Sequence, residues 1–107
     1  MTKIEDKAFN LISKDVVFGQ NVVIGNFVII ESGVVIEDDV IIESNTMICA
    51  NSIIGENSFI GTYSKIGKNV KFGRNCRMTA YCEIRDNCII GNGTSFGSRC
   101  TLSSGTI

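Results

Sequence analysis

The side chains that could move a proton or hold an anion in this chain are few, and they fall late. Glu83, Asp86 and Tyr81 lie close together and are the types that can give acid–base help. Lys65, Arg77, Arg85 and Arg99 flank them in sequence, cations suited to holding phosphates. The chain has 107 residues and no histidine. No other side chain titrates near neutral pH without strong help from its surroundings, so the ordinary proton shuttle is missing. The five cysteines have no metal-ligand spacing, and no metal site is expected. Cys49 is read as the one outward, reactive thiol, and it lacks a partner base that would make it a nucleophile.

These residues must be placed by a very regular scaffold. From Ile12 to Leu102 every sixth residue is large and apolar, through Phe18, Ile24, Ile30, Ile36, Ile42, Ile48, Ile54, Ile60, Ile66, Phe72, Met78, Ile84, Ile90 and Phe96. A period of six fits neither a 3.6-residue helix nor isolated hairpins, and it marks a hexapeptide solenoid. With the apolar residue as first position, the fifth is always small or β-branched, from Val16 through Ser58 and Cys82 to Thr106. In extended backbone the fifth position of one hexad and the first of the next share a face, so both point inward. Three sides of six residues make an 18-residue turn, and the chain supplies about five coils of a triangular prism.

The fourth position must turn the corner. It is Asn, Asp or Gly in twelve of sixteen hexads, the residues that tolerate positive φ. Gly recurs at the second position, where bulk near the bend is costly, and proline is absent. No hexad is interrupted by a loop. Residues 1–11 are expected to cap the first coil, with 12–107 as the repeat domain. No signal peptide is read, and no apolar stretch is long enough to span a membrane.

Residues 18 apart share a column. The four fourth positions that depart from Asn, Asp or Gly are Phe27, Tyr63, Tyr81 and Arg99, and all fall in one column with Asn45. Phe27, Tyr63 and Tyr81 then form either a contact edge or a stack that stabilises only itself. The sixth position points outward and is apolar from Val17 to Phe59, then charged from Lys65 to Glu83. Residues 15–64 carry seven acidic and no basic side chains, whereas 65–99 carry seven basic ones against Glu83 and Asp86. Lys65, Lys68, Lys71, Arg74 and Arg77 circle the fourth coil as either a phosphate site or a solubilising ring. An acidic isoelectric point and so short a belt argue against nucleic acid. Buried, reduced cysteines imply a cytoplasmic protein.

The segments VVFGQNVVIGNFV and SIIGENSFIGTYSKIGKNVKFGRNC repeat an aliphatic residue, then Gly, then a small residue at the fifth place. In this the chain resembles the hexapeptide-repeat acyltransferase superfamily, most nearly its nucleotide-sugar N-acyltransferases, over nearly all residues after 11. The resemblance implies an all-β, left-handed parallel β-helix and a homotrimer of parallel prisms. It also implies acyl transfer from acyl-CoA, as co-substrate, to a sugar amine or hydroxyl, with the donor bound between adjacent prisms toward the carboxyl half, where Lys65, Arg77, Arg85 and Arg99 are the candidate phosphate holders. The family commonly uses a histidine base, inserted loops and a carboxyl-terminal helix, and its carbonic anhydrase cousins use three histidines on a metal; none of these is found here. A truncated or catalytically incomplete relative is therefore expected. The alternative is a non-catalytic assembly module that oligomerises through its faces and its open carboxyl end.

Overall fold

The computed structural model of the chain describes residues 9–107 and the backbone of residues 3–4. Seventeen two-residue strands follow one another, with no helix among the described residues. They stack into three parallel sheets, the walls of a prism. The first wall holds Lys3–Ile4, Val23–Ile24, Ile41–Ile42, Phe59–Ile60, Arg77–Met78 and Ser95–Phe96. The second holds Leu11–Ile12, Ile29–Ile30, Met47–Ile48, Lys65–Ile66, Glu83–Ile84 and Thr101–Leu102. The third holds Val17–Phe18, Val35–Ile36, Ile53–Ile54, Lys71–Phe72 and Ile89–Ile90. This is the left-handed β-helix of about five coils that the resemblance implies.

Neighbouring rungs sit 18 residues apart, as in Lys65 beside Glu83 and Ile66 beside Ile84. The amino-terminal rung differs: Lys3 faces Val23 and Ile4 faces Ile24, a separation of 20. Most of the expected cap on residues 1–11 lies outside the described residues. Of the remainder, Phe9 and Leu11 are exposed.

The first and fifth positions fill the interior. Ile24 through Ile84 at the first position are at most 2% exposed, interleaved with Val, Ser and Cys at the fifth. Each buried side chain of this size contributes ~1.5–3 kcal/mol. Ile12, Phe18, Phe96 and Leu102 pack against this core but are only partly buried, since a terminal coil covers them on one side alone.

Composition of the lining changes along the axis. Val28, Val34 and Val40 give way to Thr46, Ser52, Ser58 and Ser64, then to Cys76, Cys82 and Cys88. The buried hydroxyls are spent on the backbone. Ser52 Oγ donates to the Gly67 carbonyl (2.6 Å) and accepts the Val70 N–H (3.0 Å). Ser58 does the same with Gly73 and Cys76. The thiols repeat the donation, Cys82 Sγ to the Gly97 carbonyl at 3.0 Å and Cys88 Sγ to Ser103 at 3.1 Å. All five cysteines are free.

Fifteen of the sixteen fourth positions have positive φ, between 56° and 78°. Asp15 is the exception among those residues; its carboxylate instead accepts hydrogen bonds from Ser13 Oγ (2.7 Å) and Ser32 Oγ (2.6 Å). Phe27, Tyr63, Tyr81 and Arg99 adopt the left-handed conformation too, at 57°, 56°, 62° and 61°. For bulky residues this costs on the order of 1–3 kcal/mol each. Gly at the second position has a steric cause. A Cβ on Gly61 would lie 2.5 Å from the Thr79 carbonyl carbon of the next coil.

Candidate functional site

The second wall and its bordering corners carry the residues that could do chemistry. Glu83 lies outward on its strand beside Lys65, and Arg85 and Asp86 follow where the chain bends into the corner. Lys65, Gly67, Glu83, Ile84, Arg85, Asp86 and Ser104 line one shallow depression. Gly67 forms part of it for a packing reason, since a Cβ there would meet Asp86. Ser104 was not anticipated; only the stacking of the last coil brings it alongside.

Both carboxylates are already engaged. Glu83 Oε2 stands 3.8 Å from Arg85 Nε, with both side chains partly exposed, a pair worth little in water. Asp86 Oδ1 accepts the Lys68 backbone N–H at 2.8 Å, tying two coils together. Asp38 and Asn92, at the same hexad position, hold Gln20 and Arg74 in the same way. Asp86 thus belongs to a recurring structural device.

The remaining expected site residues are spread over other faces. Tyr81 stands on the corner between the first and second walls, stacked on Tyr63 at 5.2 Å between ring centroids and an interplanar angle of 5°. Arg99 covers Tyr81 at 5.1 Å. Arg77 lies on the first wall over Phe59, at 4.4 Å. Of the four expected phosphate-binding cations, only Lys65 and Arg85 line the depression; the other two face aromatic rings.

Cys49 corrects the reading of an outward, reactive thiol. It is buried, 5% exposed, because the backbone of the next coil closes over a short side chain at the second position. Burial raises its pKa, with Glu31 and Asp86 adding to the effect and Lys65 opposing it. A thiol so placed is a poor nucleophile.

A second, larger depression lies at the acidic end of the third wall, lined by Val17, Phe18, Gly19, Val35, Ile36, Glu37, Asp38 and Glu56. Its carboxylates repel phosphates, and Glu56 is paired with Arg74 at 3.5 Å. Among the described residues no group of Cys, Asp or Glu side chains is placed to hold a metal ion, and no helix is long and apolar enough to cross a membrane.

The family described as bacterial transferase hexapeptide (six repeats) matches residues 15–50, 33–68 and 63–104, nearly the whole prism. The chain belongs to that family. No curated protein matches it. Among solved structures, the acetyltransferase domain of PglB from Neisseria gonorrhoeae superposes with a TM-score of 0.66 at 22% identity, over 89% of this chain and 53% of that one. The same domain in complex with acetyl coenzyme A gives 0.64 at 21%, over 88% and 53%. The Francisella novicida UDP-N-acetylglucosamine acyltransferase overlaps at a TM-score of only 0.38 and 18% identity, over 96% of this chain and 59% of that one. At such identities the likeness is one of fold. The hexapeptide chain spans about half the length of the PglB domain.

Proposed function

We propose that this hexapeptide protein is an acyltransferase-type module, built to hold an acyl-CoA donor beside a sugar amine or hydroxyl but catalytically incomplete in these residues. The observation that carries the reading is the depression on the second wall, which gathers Lys65 and Arg85 with Glu83 and Asp86. Lys65 and Arg85 hold donor phosphates there. Glu83 takes the proton that the amine or hydroxyl loses as it bonds to the thioester carbonyl carbon, and passes it to the coenzyme A sulfur that departs when the carbon–sulfur bond breaks. Catalysis by this apparatus is weak, because no histidine is present and both carboxylates are held by other groups. Binding of acetyl coenzyme A by the PglB domain supports the donor class.

The prisms assemble as a homotrimer through the third wall. Its outward side chains Val17, Ile53 and Ile89 are exposed in the single chain, more apolar surface than a solitary prism should leave in water. Free cysteines fit a cytoplasmic setting.

A thermal shift with millimolar acetyl coenzyme A tests the donor site. A dissociation constant one-tenth of the ligand concentration stabilises by ~1.4 kcal/mol, several degrees in Tm, and the double variant K65A/R85A loses that shift. No shift in the parent protein overturns the donor reading. That result would leave the assembly module, which the exposed aromatic corner favours.

A further inference from the structure

Of the three corners, one differs in kind. The corner between the second and third walls and that between the third and first are built from Asp, Asn and Gly, with Asn57 Nδ2 donating to Asn75 Oδ1 at 2.7 Å in the latter. The corner between the first and second walls presents Phe9, Phe27, Asn45, Tyr63, Tyr81 and Arg99, one per coil. Its aromatic residues are at least half exposed, Phe9 at 76%, Phe27 at 54%, Tyr63 at 56% and Tyr81 at 50%. Three of them, and Arg99, hold the strained left-handed conformation that Asn adopts easily at the other corners. A solitary prism gains little from that choice.

We propose that this corner is a docking edge for a second copy of the chain, the two prisms lying side by side and antiparallel. Two observations choose the occupant. The rings already face one another within the prism, Phe9 on Phe27 at 5.6 Å and Tyr63 on Tyr81 at 5.2 Å, so their rims and hydroxyls point outward. Such a ribbon repeats once per coil, roughly every 4.8 Å, and the surface that matches that period is the same edge of another copy. Charge then sets the direction. Residues 9–64 carry seven carboxylates against Lys14, whereas residues 65–107 carry seven cations against Glu83 and Asp86. Parallel pairing sets like charge beside like, and antiparallel pairing sets the acidic half of each prism along the basic half of its partner.

A two-fold axis between the third and fourth rungs uses all six. It brings Phe27 against the partner's Tyr81, Asn45 against the partner's Tyr63, and Phe9 against the partner's Arg99. This contact is isologous and closes on itself. It lies opposite the third wall, so it does not compete with a trimer built there, and it holds whether or not the protein transfers acyl groups.

Light scattering on the full chain, compared with the triple variant Phe27→Asn, Tyr63→Asn and Tyr81→Asn, gives the first test. Asn is at home in this backbone conformation at six other corners, so the variant keeps its circular dichroism while the particle mass falls to half or less. Single cysteines give the direction. A mixture of Phe27→Cys and Tyr81→Cys proteins forms a disulfide-linked heterodimer on mild oxidation, and Phe27→Cys alone forms none beyond the parent background. A mass untouched by the triple substitution overturns the proposal, and Phe27→Cys linking to itself overturns the antiparallel arrangement.

Discussion

The two halves of the prism share one backbone and solve its demands with different side chains. Up to residue 64 the lining passes from Val to Thr and Ser, the exterior is apolar and the charge acidic. From residue 65 the lining is mostly Cys, the exterior is largely charged, and the charge is basic. Val34 and Ser52 stand one coil apart in the same column, both fully buried. The difference teaches that the fifth position asks only for small volume. What fills that volume decides whether coils are joined by packing alone or also by side-chain hydrogen bonds.

The sharpest test of the shared core is Ile60→Ala at mid-prism, where Ile60 is wholly buried. A loss of ~2–5 kcal/mol is expected from the cavity, read as a lower urea midpoint; a much smaller loss would mean the coils collapse freely around the gap. Next in size is a contrast between glycines. Gly61→Ala drives a methyl group into the Thr79 backbone and should cost ~1–3 kcal/mol. Gly97→Ala meets nothing within 4 Å and should be neutral or slightly stabilising. Equal effects at both sites, measured by thermal unfolding, would remove the steric account of the second position.

Ser58→Ala probes the lining itself. It strips a partner from the Gly73 carbonyl and from the Cys76 N–H, at ~1–3 kcal/mol. Val40→Ala, one coil below in the same column, loses only methyl groups, and the two should differ in heat-capacity change as well as in midpoint. The smallest effect belongs to Asp15. The hydroxyls of Ser32 and Ser13 and the Gly33 N–H hold its pKa below the ordinary carboxylate value. A depressed folded-state pKa means this support is present above the unfolded pKa and fades as pH falls through the folded one. The pH dependence of the urea midpoint on the acid side should therefore flatten in Asp15→Asn. Because the group is fully exposed, the change is slight, and an unaltered profile would show the cluster to be decorative.

Much of the architecture was legible because a six-residue period leaves each position one role. Ile42 and Ile60 had to point inward, and Asn57 and Asn75 had to turn corners. Less of the site was legible. Cys49 looked exposed by its place in the hexad, yet the approach of the next coil buries it. Asp86 looked available as a base until the Lys68 N–H claimed it. Arg77 and Arg99 looked like phosphate ligands, but a ring lay within reach of each. None of these outcomes depends on residue type alone, since each turns on what stands one coil away.

By itself the order of residues determined the walls, the corners, the column of aromatic rungs and the split of charge between the ends, because all four follow from counting in sixes and eighteens. Tertiary structure alone decided which carboxylates remain free, which thiols are covered and which cations already face a ring. Those depend on contacts of a few ångströms between coils, a distance that no spacing along the chain encodes.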